Sequence, residues 1–309
     1  MYIAISLSVI GITMLLGGIF YMRLGLQKLL LHRFKHLLGQ LTQRPWRAVL
    51  FGTFAAGMMQ SSTAVSLLTI GLVSADYLSF YQGLGIILGA NIGTCSTVQL
   101  MAISIPGNVF LPLLLFTTVI TLFVKKFRYL FMAISGLLSM FLGITILSDA
   151  LGSLSEIITV MDYLAAAKEN PLYGILVGII VTLLFQSSSA ATGVIMVLAS
   201  DGLIDLMTAS YIVYGNNIGS CLSSIIVGAA GTLAAKRVAV AHVVLNILGV
   251  VFFLPLTGLL ISTATYITAD FAGQVAVIHT LFNIISSLAI LPIIRQYANL
   301  IIFLVPAKR

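Results

Sequence analysis

The chain has 309 residues, 60% of them hydrophobic and 7% charged, with a mean hydropathy of +1.16. Soluble domains carry about 45–50% apolar and about 25% charged residues, so a water-soluble fold is excluded, and at about 20 apolar residues per crossing the chain holds on the order of ten membrane-embedded helices. The formal net charge is +7, but the basic residues sit in short loops without interleaved aromatics, which points to membrane orientation and away from nucleic acid.

Apolar runs cover about 1–22, 48–74, 80–105, 107–124, 129–150, 172–200, 206–230, 238–262 and 272–294, predicting nine helical segments in an all-α polytopic membrane protein. The first run has no basic residue before it and no cleavage site after it, and reads as a retained helix. Residues 23–47 carry Arg23, Lys28, Arg33, Lys35, Arg44 and Arg47 and no acid, the pattern of an amphipathic surface helix or a solvated loop on the cytoplasmic side. The tail from Tyr297 to Val305 is too short to cross. Cys95 and Cys221 lie inside apolar runs, which gives no disulfide framework or metal-ligand spacing.

A shift of 126 residues lays the sequence on itself without a gap. Gln60, Ser61 and Ser62 fall on Gln186, Ser187 and Ser188; Gly89, Asn91, Ile92, Gly93 and Cys95 fall on Gly215, Asn217, Ile218, Gly219 and Cys221. Pro45, Gly52, Ala64, Leu72 and Ser74 match Pro171, Gly178, Ala190, Leu198 and Ser200, and Met14 and Gly17 match Met140 and Gly143. Apolar letters agree often by chance, whereas Gln, Asn, paired Ser and Gly at one offset do not. The expected organisation is a first repeat over 1–126 with a hairpin at about 48–74, a second over 127–262 with a hairpin at about 172–200, and an additional transmembrane helix over 272–294.

If the two hairpin runs enter and return on one side while the other runs cross, 14 of the 15 Lys and Arg residues share one face, all but Lys168. If those runs cross fully, 12 remain together. The Lys/Arg bias favours the re-entrant arrangement, with the N-terminus outside, the C-terminus cytoplasmic and the two repeats inverted, an architecture that secondary transporters use around a central site.

Residues 48–59 rise about 18 Å as helix at about 1.5 Å each, a little over half of a ~30 Å hydrocarbon core. Gln60-Ser61-Ser62-Thr63 and Gln186-Ser187-Ser188-Ser189 are thus expected near the midplane from opposite sides. Consecutive hydroxyls favour helix caps over helix interiors, so each run is expected to break there and a second helix to begin. Broken backbone at that depth lines a cavity or is packed in protein; alternatively, Gln and Ser serve as interhelical hydrogen-bond partners. The segments Gly89 to Thr94 and Gly215 to Ser220 suggest a complementary break in the next helix. There Asn91, Thr94, Asn217, Ser220 and the unpaired-in-sequence Asn216 would offer hard oxygens to an alkali cation; a glycine packing face is the alternative. No Lys or Arg falls in these segments, so an anion is expected to meet helix N-termini worth about half a charge each plus co-bound cations. His242 with Asn246, and His279 with Asn283, lie four apart on one helical face and read either as a proton relay or as interhelical locks.

These motifs resemble the sodium-dependent phosphate cotransporter family, whose hallmark is a duplicated Gln-Ser-Ser core followed by Gly-x-Asn-Ile-Gly-Thr/Ser. The similarity extends through Ala241-His242 to Asn246 and His279-Thr280-Leu281-Phe282-Asn283, over roughly 45–295. It implies sodium-driven uptake of inorganic phosphate by alternating access, elevator-like, in a homodimer of the cytoplasmic membrane, without an organic cofactor and without enzymatic activity. Carried over by motif, Gln60, Ser61, Ser62, Thr63, Gln186, Ser187, Ser188 and Ser189 would contact phosphate or sodium, with Asn91, Thr94, Asn217 and Ser220 close by. Sodium would be held through Gln60, Ser61, Asn91, Gln186, Ser187 and Asn217. Many bacterial relatives bear a soluble regulatory domain after the membrane part, which this sequence does not show, and Asn216 stands where the first repeat has Ala90. Three rivals stay open: sodium-coupled transport of another oxyanion or a small carboxylate, a membrane lipid-phosphate phosphatase, and a passive channel.

Overall fold

The computed structural model describes residues 2–41, 44–103, 105–152 and 170–307, and among them every regular element is helical. The helices are α1 (Tyr2–Leu41), α2 (Pro45–Met59), α3 (Ser62–Ser74), α4 (Phe80–Met101), α5 (Phe110–Phe123), α6 (Arg128–Gly152), α7 (Pro171–Phe185), α8 (Ser188–Ser200), α9 (Leu206–Ala229), α10 (Leu233–Phe253), α11 (Thr257–Ile267), α12 (Phe271–Ile290) and α13 (Ile294–Leu304). Among the described residues six stretches are long and apolar enough to cross a membrane: Ile3–Leu29, Phe80–Met101, Lys125–Leu151, Leu206–Ala229, Leu233–Ile267 and Phe271–Leu304. In the last two, short 3₁₀ turns at Leu254–Leu256 and Leu291–Ile293, each with a proline, bend a continuous helical path, because proline removes one ladder hydrogen bond. The 107–124 run is shorter than a full crossing helix.

The basic stretch after the first run forms neither a separate surface helix nor a loop at its start. Helix α1 continues unbroken from Tyr2 to Leu41, which at about 1.5 Å per residue makes it about twice as long as the hydrocarbon core is thick, so Arg23 belongs to the crossing part. Gly11, Gly18 and Gly25 recur every seven residues on α1 and meet backbone of α6 around Gly143, Gly136 and Tyr129 respectively. The register descends on α6 as it rises on α1, so the two helices, 126 residues apart in sequence, run antiparallel. Absent side chains let their backbones approach closely, as in membrane helix pairs generally.

The same contacts orient the rest. Gly85 lies against Ala48, Gly89 against Val49 and Thr53, and Gly93 against Thr53 and Ala56, so α2 runs parallel to α4. The end of α3, Thr69 and Val73, returns to Gly83 near the start of α4; α2 and α3 therefore form a hairpin whose base and the start of α4 lie at one level. In the second half, Gly178 meets Ile212 and Gly215, and Gly219 meets Ile179 and Thr182, making α7 parallel to α9. Helix α10 runs parallel to α4, with Val238 against Gly83 and His242 and Asn246 at Asn91. It runs antiparallel to α9, with Asn246 at Cys221, His242 at Ser224 and Ala239 at Gly228. Hence α4 and α9 point in opposite directions, and the two hairpins enter from opposite sides. Large apolar residues at matching positions, Leu50, Phe54 and Met58 on α2 and Leu176, Ile180 and Leu184 on α7, are exposed, the outward face expected of helices bathed in acyl chains.

The basic residues Lys168, Lys308 and Arg309, on which part of the Lys/Arg count rests, lie outside the described residues.

Candidate functional site

Both hairpins turn at the Gln-Ser pair in the same way. Gln60 and Gln186 end α2 and α7 in the left-handed region, with φ of 52° and 51°, a conformation that costs a non-glycine residue roughly 1–2 kcal/mol. The glutamine offsets part of this by capping its own helix: Gln60 Nε2 donates to Gly57 O at 2.5 Å and Gln186 Nε2 to Leu183 O at 2.6 Å. Ser61 and Ser187 follow in extended conformation as N-caps, their Oγ atoms accepting from Ala64 N at 3.2 Å and Ala190 N at 3.3 Å. The amides of Ser62, Thr63, Ser188 and Ser189 then begin α3 and α8 without intrahelical acceptors. Gln60 Nε2 also donates to Ser96 Oγ at 3.0 Å, which sets the first tip about three-quarters of the way along α4. The second tip stands likewise beside Gly219 and Ser220, well along α9.

The tips come together. Thr63 shares a small cavity of about 30 Å³ with Thr182, Gln186, Ser187, Ser188 and Ser220. That is the volume of about one water. A further residue joins the two tips that the sequence analysis assigned to the solvent side: Arg23 on α1 donates from Nε to Gln60 O at 2.6 Å and from Nη2 to Ser189 Oγ at 3.4 Å. The expectation that an anion here would meet no fixed cation is thus overturned. In sequence Arg23 heads a run of basic residues, the pattern of a solvated stretch. The glycines every seven residues, through Gly25, are the signal that carries the first helix past it.

The second expected break is absent. Helices α4 and α9 are continuous through Gly89–Thr94 and Gly215–Ser220, so their carbonyls stay in the helical ladder and are not freed for a cation. The glycines serve contact instead. A methyl group at Gly89 would lie 2.0 Å from Val49 O, and one at Gly215 would lie 2.0 Å from Ile175 O, the equivalent atom 126 residues on. Gly52 and Gly178 show the reciprocal pair, against Ile86 O at 2.2 Å and Ile212 O at 2.0 Å. The motif lets each hairpin's first arm lie backbone to backbone on the long helix beside it.

The polar side chains of this motif divide accordingly. Asn91 is spent on α10: its Oδ1 lies 3.2 Å from His242 Nε2 and its Nδ2 donates to Asn246 Oδ1 at 3.2 Å. His242 Nδ1 lies 3.2 Å from Ser224 Oγ, and Asn246 Nδ2 donates to Cys221 Sγ at 2.9 Å. The His242–Asn246 pair is therefore an interhelical lock among α4, α9 and α10, buried throughout. His279 and Asn283 bond each other on α12, and no hydrogen bond among the described residues links them to the tips. Thr94 and Ser220 donate to carbonyls of their own helices, Ala90 O at 2.9 Å and Asn217 O at 2.7 Å, and Asn217 Nδ2 donates to Val213 O at 3.0 Å. Asn216 ties the second hairpin together: its carboxamide lies 3.1 Å from Thr182 Oγ1 on α7 and 3.2 Å from Thr192 Oγ1 on α8. The first half has Ala56, Ser66 and Ala90 at those places, and there the buried Ser66 Oγ is left without a partner. Gln60 differs from Gln186 in the same sense: it is 6% exposed with Oε1 unpartnered, whereas Gln186 is exposed.

Comparison with known proteins adds the context. The chain is 31% identical over 310 residues, the full length of both chains, to YqeW of Bacillus subtilis (strain 168). It is 25% identical over 292 residues to YjbB of Escherichia coli (strain K12), a protein whose name assigns it provisionally to inorganic phosphate export; the match covers 94% of this chain and 53% of that one. Over 115 residues it is 40% identical to the sodium-dependent phosphate transport protein 2A of Oryctolagus cuniculus, covering 34% of this chain and 18% of the rabbit protein. The chain thus spans all of YqeW but about half the length of YjbB. No solved structure matches it. The Na+/Pi-cotransporter family matches over residues 14–149 and 155–283, and with six apolar crossing helices the chain is an integral membrane protein that belongs to this family.

Proposed function

We propose that this chain is a secondary active transporter that couples sodium to the movement of inorganic phosphate, holding the anion between the two hairpin tips. The observation that carries the reading is the meeting of two helix N-termini from opposite sides, with Thr63 and Ser187–Ser188 on one cavity and Arg23 spanning both turns. Helix N-termini are ready anion sites, with outward N–H groups and about half a positive charge each. Ser61, Ser62 and Thr63 on one side and Ser187, Ser188 and Ser189 on the other are the groups we assign to phosphate. Gln60 Oε1, buried and unpartnered, is a hard oxygen suited to sodium, together with hydroxyls of Ser61 and Ser187. Gln186 remains at the tip, whereas Asn91 and Asn217 are assigned to scaffolding.

The repeat division at 126, with the helix over 272–294 outside it, an N-terminus outside and a cytoplasmic C-terminus belong to the same proposal, as do a homodimer and elevator-like alternating access in the cytoplasmic membrane. A coupled carrier runs in whichever direction its gradients drive it, so uptake and the export attributed to YjbB are not different machines. Serine hydroxyls and one guanidinium also suit other oxyanions, and competition by sulfate and small carboxylates measures that preference. For a lipid phosphatase the tips lack a histidine or carboxylate partner among the described residues to transfer protons. The test is uptake of radiolabelled phosphate into proteoliposomes. Saturable accumulation that disappears when choline replaces sodium is expected. Uptake indifferent to that replacement overturns the coupling, and phosphate release from lipid pyrophosphate would favour the enzyme.

A further inference from the structure

We infer that Arg23 is an anion-binding residue that fits the central site to a dianionic tetrahedral oxyanion, an inference that rests on the phosphate reading above. Its Nε donates to Gln60 O and its Nη2 to Ser189 Oγ. Both partners are neutral, and they are its hydrogen-bond partners among the described residues. A guanidinium stays charged in proteins and carries five N–H donors, so three remain. Arg23 is partly buried with no counter-ion among these partners, and a bidentate oxyanion is the partner that the guanidinium fork matches best.

The surroundings supply space and no competing counter-ion. Arg23 lines a half-open, mostly apolar groove of about 360 Å³ with Leu16, Phe20, Phe185, Gln186 and Ser187, of which Gln186 and Ser187 also line the small cavity between the tips. Along its own helix the neighbouring ionisable residues are Tyr21 and Lys28. The antiparallel register pairs Gly25 with Tyr129 and Ala133 but Gly11 with Leu147, so Asp149 lies toward the other end of α6. No carboxylate or histidine of α2, α3, α6, α7 or α8 bonds Arg23 among the described residues. Position 149 is also the repeat equivalent of 23, and Asp149 there is exposed, so the fixed charge enters the centre from one half of the chain alone.

The charge sum gives the specificity. Two helix N-termini provide about +1 together, and the guanidinium brings the total to about +2, which balances a dianion. Dianionic phosphate is matched and the monoanion is over-compensated.

The test is equilibrium binding of inorganic phosphate to the full chain in lipid nanodiscs across the second ionisation of phosphate. Wild-type affinity is expected to rise with pH in step with the dianion fraction. Arg23→Gln is expected to lose at least tenfold in affinity at high pH and to flatten the pH trend, while Arg23→Lys, with charge but no fork, keeps the trend and loses affinity by an intermediate factor. A strap that only holds the tips together would lower affinity equally at every pH, and that result overturns the inference, as does wild-type binding by Arg23→Gln. If Arg23→Gln does not fold, Arg23→Lys decides alone: a lost pH trend or undiminished affinity is the contrary result. Wild-type protein that binds no phosphate at any pH removes the phosphate reading itself; intact wild-type binding with an indifferent Arg23 removes only this inference.

Discussion

Substitution of Gly89 by alanine tests how the hairpin is seated on its neighbouring helix. The added methyl would sit 2.0 Å from Val49 O and 2.7 Å from Thr53 N, about 1.4 Å short of the 3.4 Å at which ordinary contact begins. Both obstacles are backbone, so no rotamer change relieves them and α2 must move away from α4 as a body. Forcing a methyl into packed structure costs roughly 1–3 kcal/mol and occasionally more; with two backbone atoms in the way we expect the upper end, about 3 kcal/mol. That corresponds to a fall in Tm on the order of 5–10 °C, read by thermal unfolding in detergent. Gly52→Ala strains the same helix pair from the other side, against Ile86 O at 2.2 Å, so once α2 has moved the second methyl costs less and the double variant falls short of the sum. Gly71→Ala, where nothing lies within 4 Å, is expected to be neutral or stabilising, since alanine favours helix by up to about 1 kcal/mol. A Gly89→Ala protein as stable as Gly71→Ala would refute the backbone-contact reading of the motif.

Other expectations follow from single side chains. His242→Ala is expected to destabilise by about 2–4 kcal/mol, since it withdraws the partner of the buried Asn91 Oδ1 and Ser224 Oγ and opens a cavity; His242→Gln is expected to keep transport with an unaltered pH profile, and a lost pH dependence would restore the proton-relay reading. Asn216→Ala is expected to lower thermal stability by about 1–3 kcal/mol through the bonds it withdraws from Thr182 and Thr192, whereas an unchanged Tm would show that the second hairpin is held by packing alone. At the base of that hairpin, burial raises the Asp201 carboxyl above its ordinary pKa, opposed by the hydrogen bond from Ser148 and reinforced by the charge of Asp149. The ionised form is thus disfavoured in the fold, so stability declines as pH rises from the unfolded pKa through the folded one. Asp201→Asn is expected to raise Tm at neutral pH, with the gain fading as pH falls toward the unfolded carboxylate pKa; a gain independent of pH would contradict this cause.

The two hairpin turns were legible because local chemistry forces them: proline starts α2 and α7, and consecutive serines cap helices better than they continue them. The opposed entry of the hairpins was legible from the Lys/Arg asymmetry and the repeat. The glycine motif was not. Glycine permits both an unwound backbone and a close helix contact, and only the position of Val49 O and Ile175 O against Gly89 and Gly215 separates the two. Asn91 and His242 were open for a related reason, since a residue's partner on another helix is set by tertiary register. Arg23 shows the opposite failure: its place in a basic run suggested solvent, while the unbroken helix carries it to the tips.

The central claim is that the tips at Ser61–Thr63 and Ser187–Ser189 hold one anion together. It is tested most directly by sodium-dependent equilibrium binding of inorganic phosphate to wild type, Ser62→Ala and Ser188→Ala, each verified as folded by its Tm. The account predicts saturable binding by the wild type and its loss in both variants, because each removes a hydroxyl from one of the two facing helix starts. Undiminished binding by both variants would contradict it.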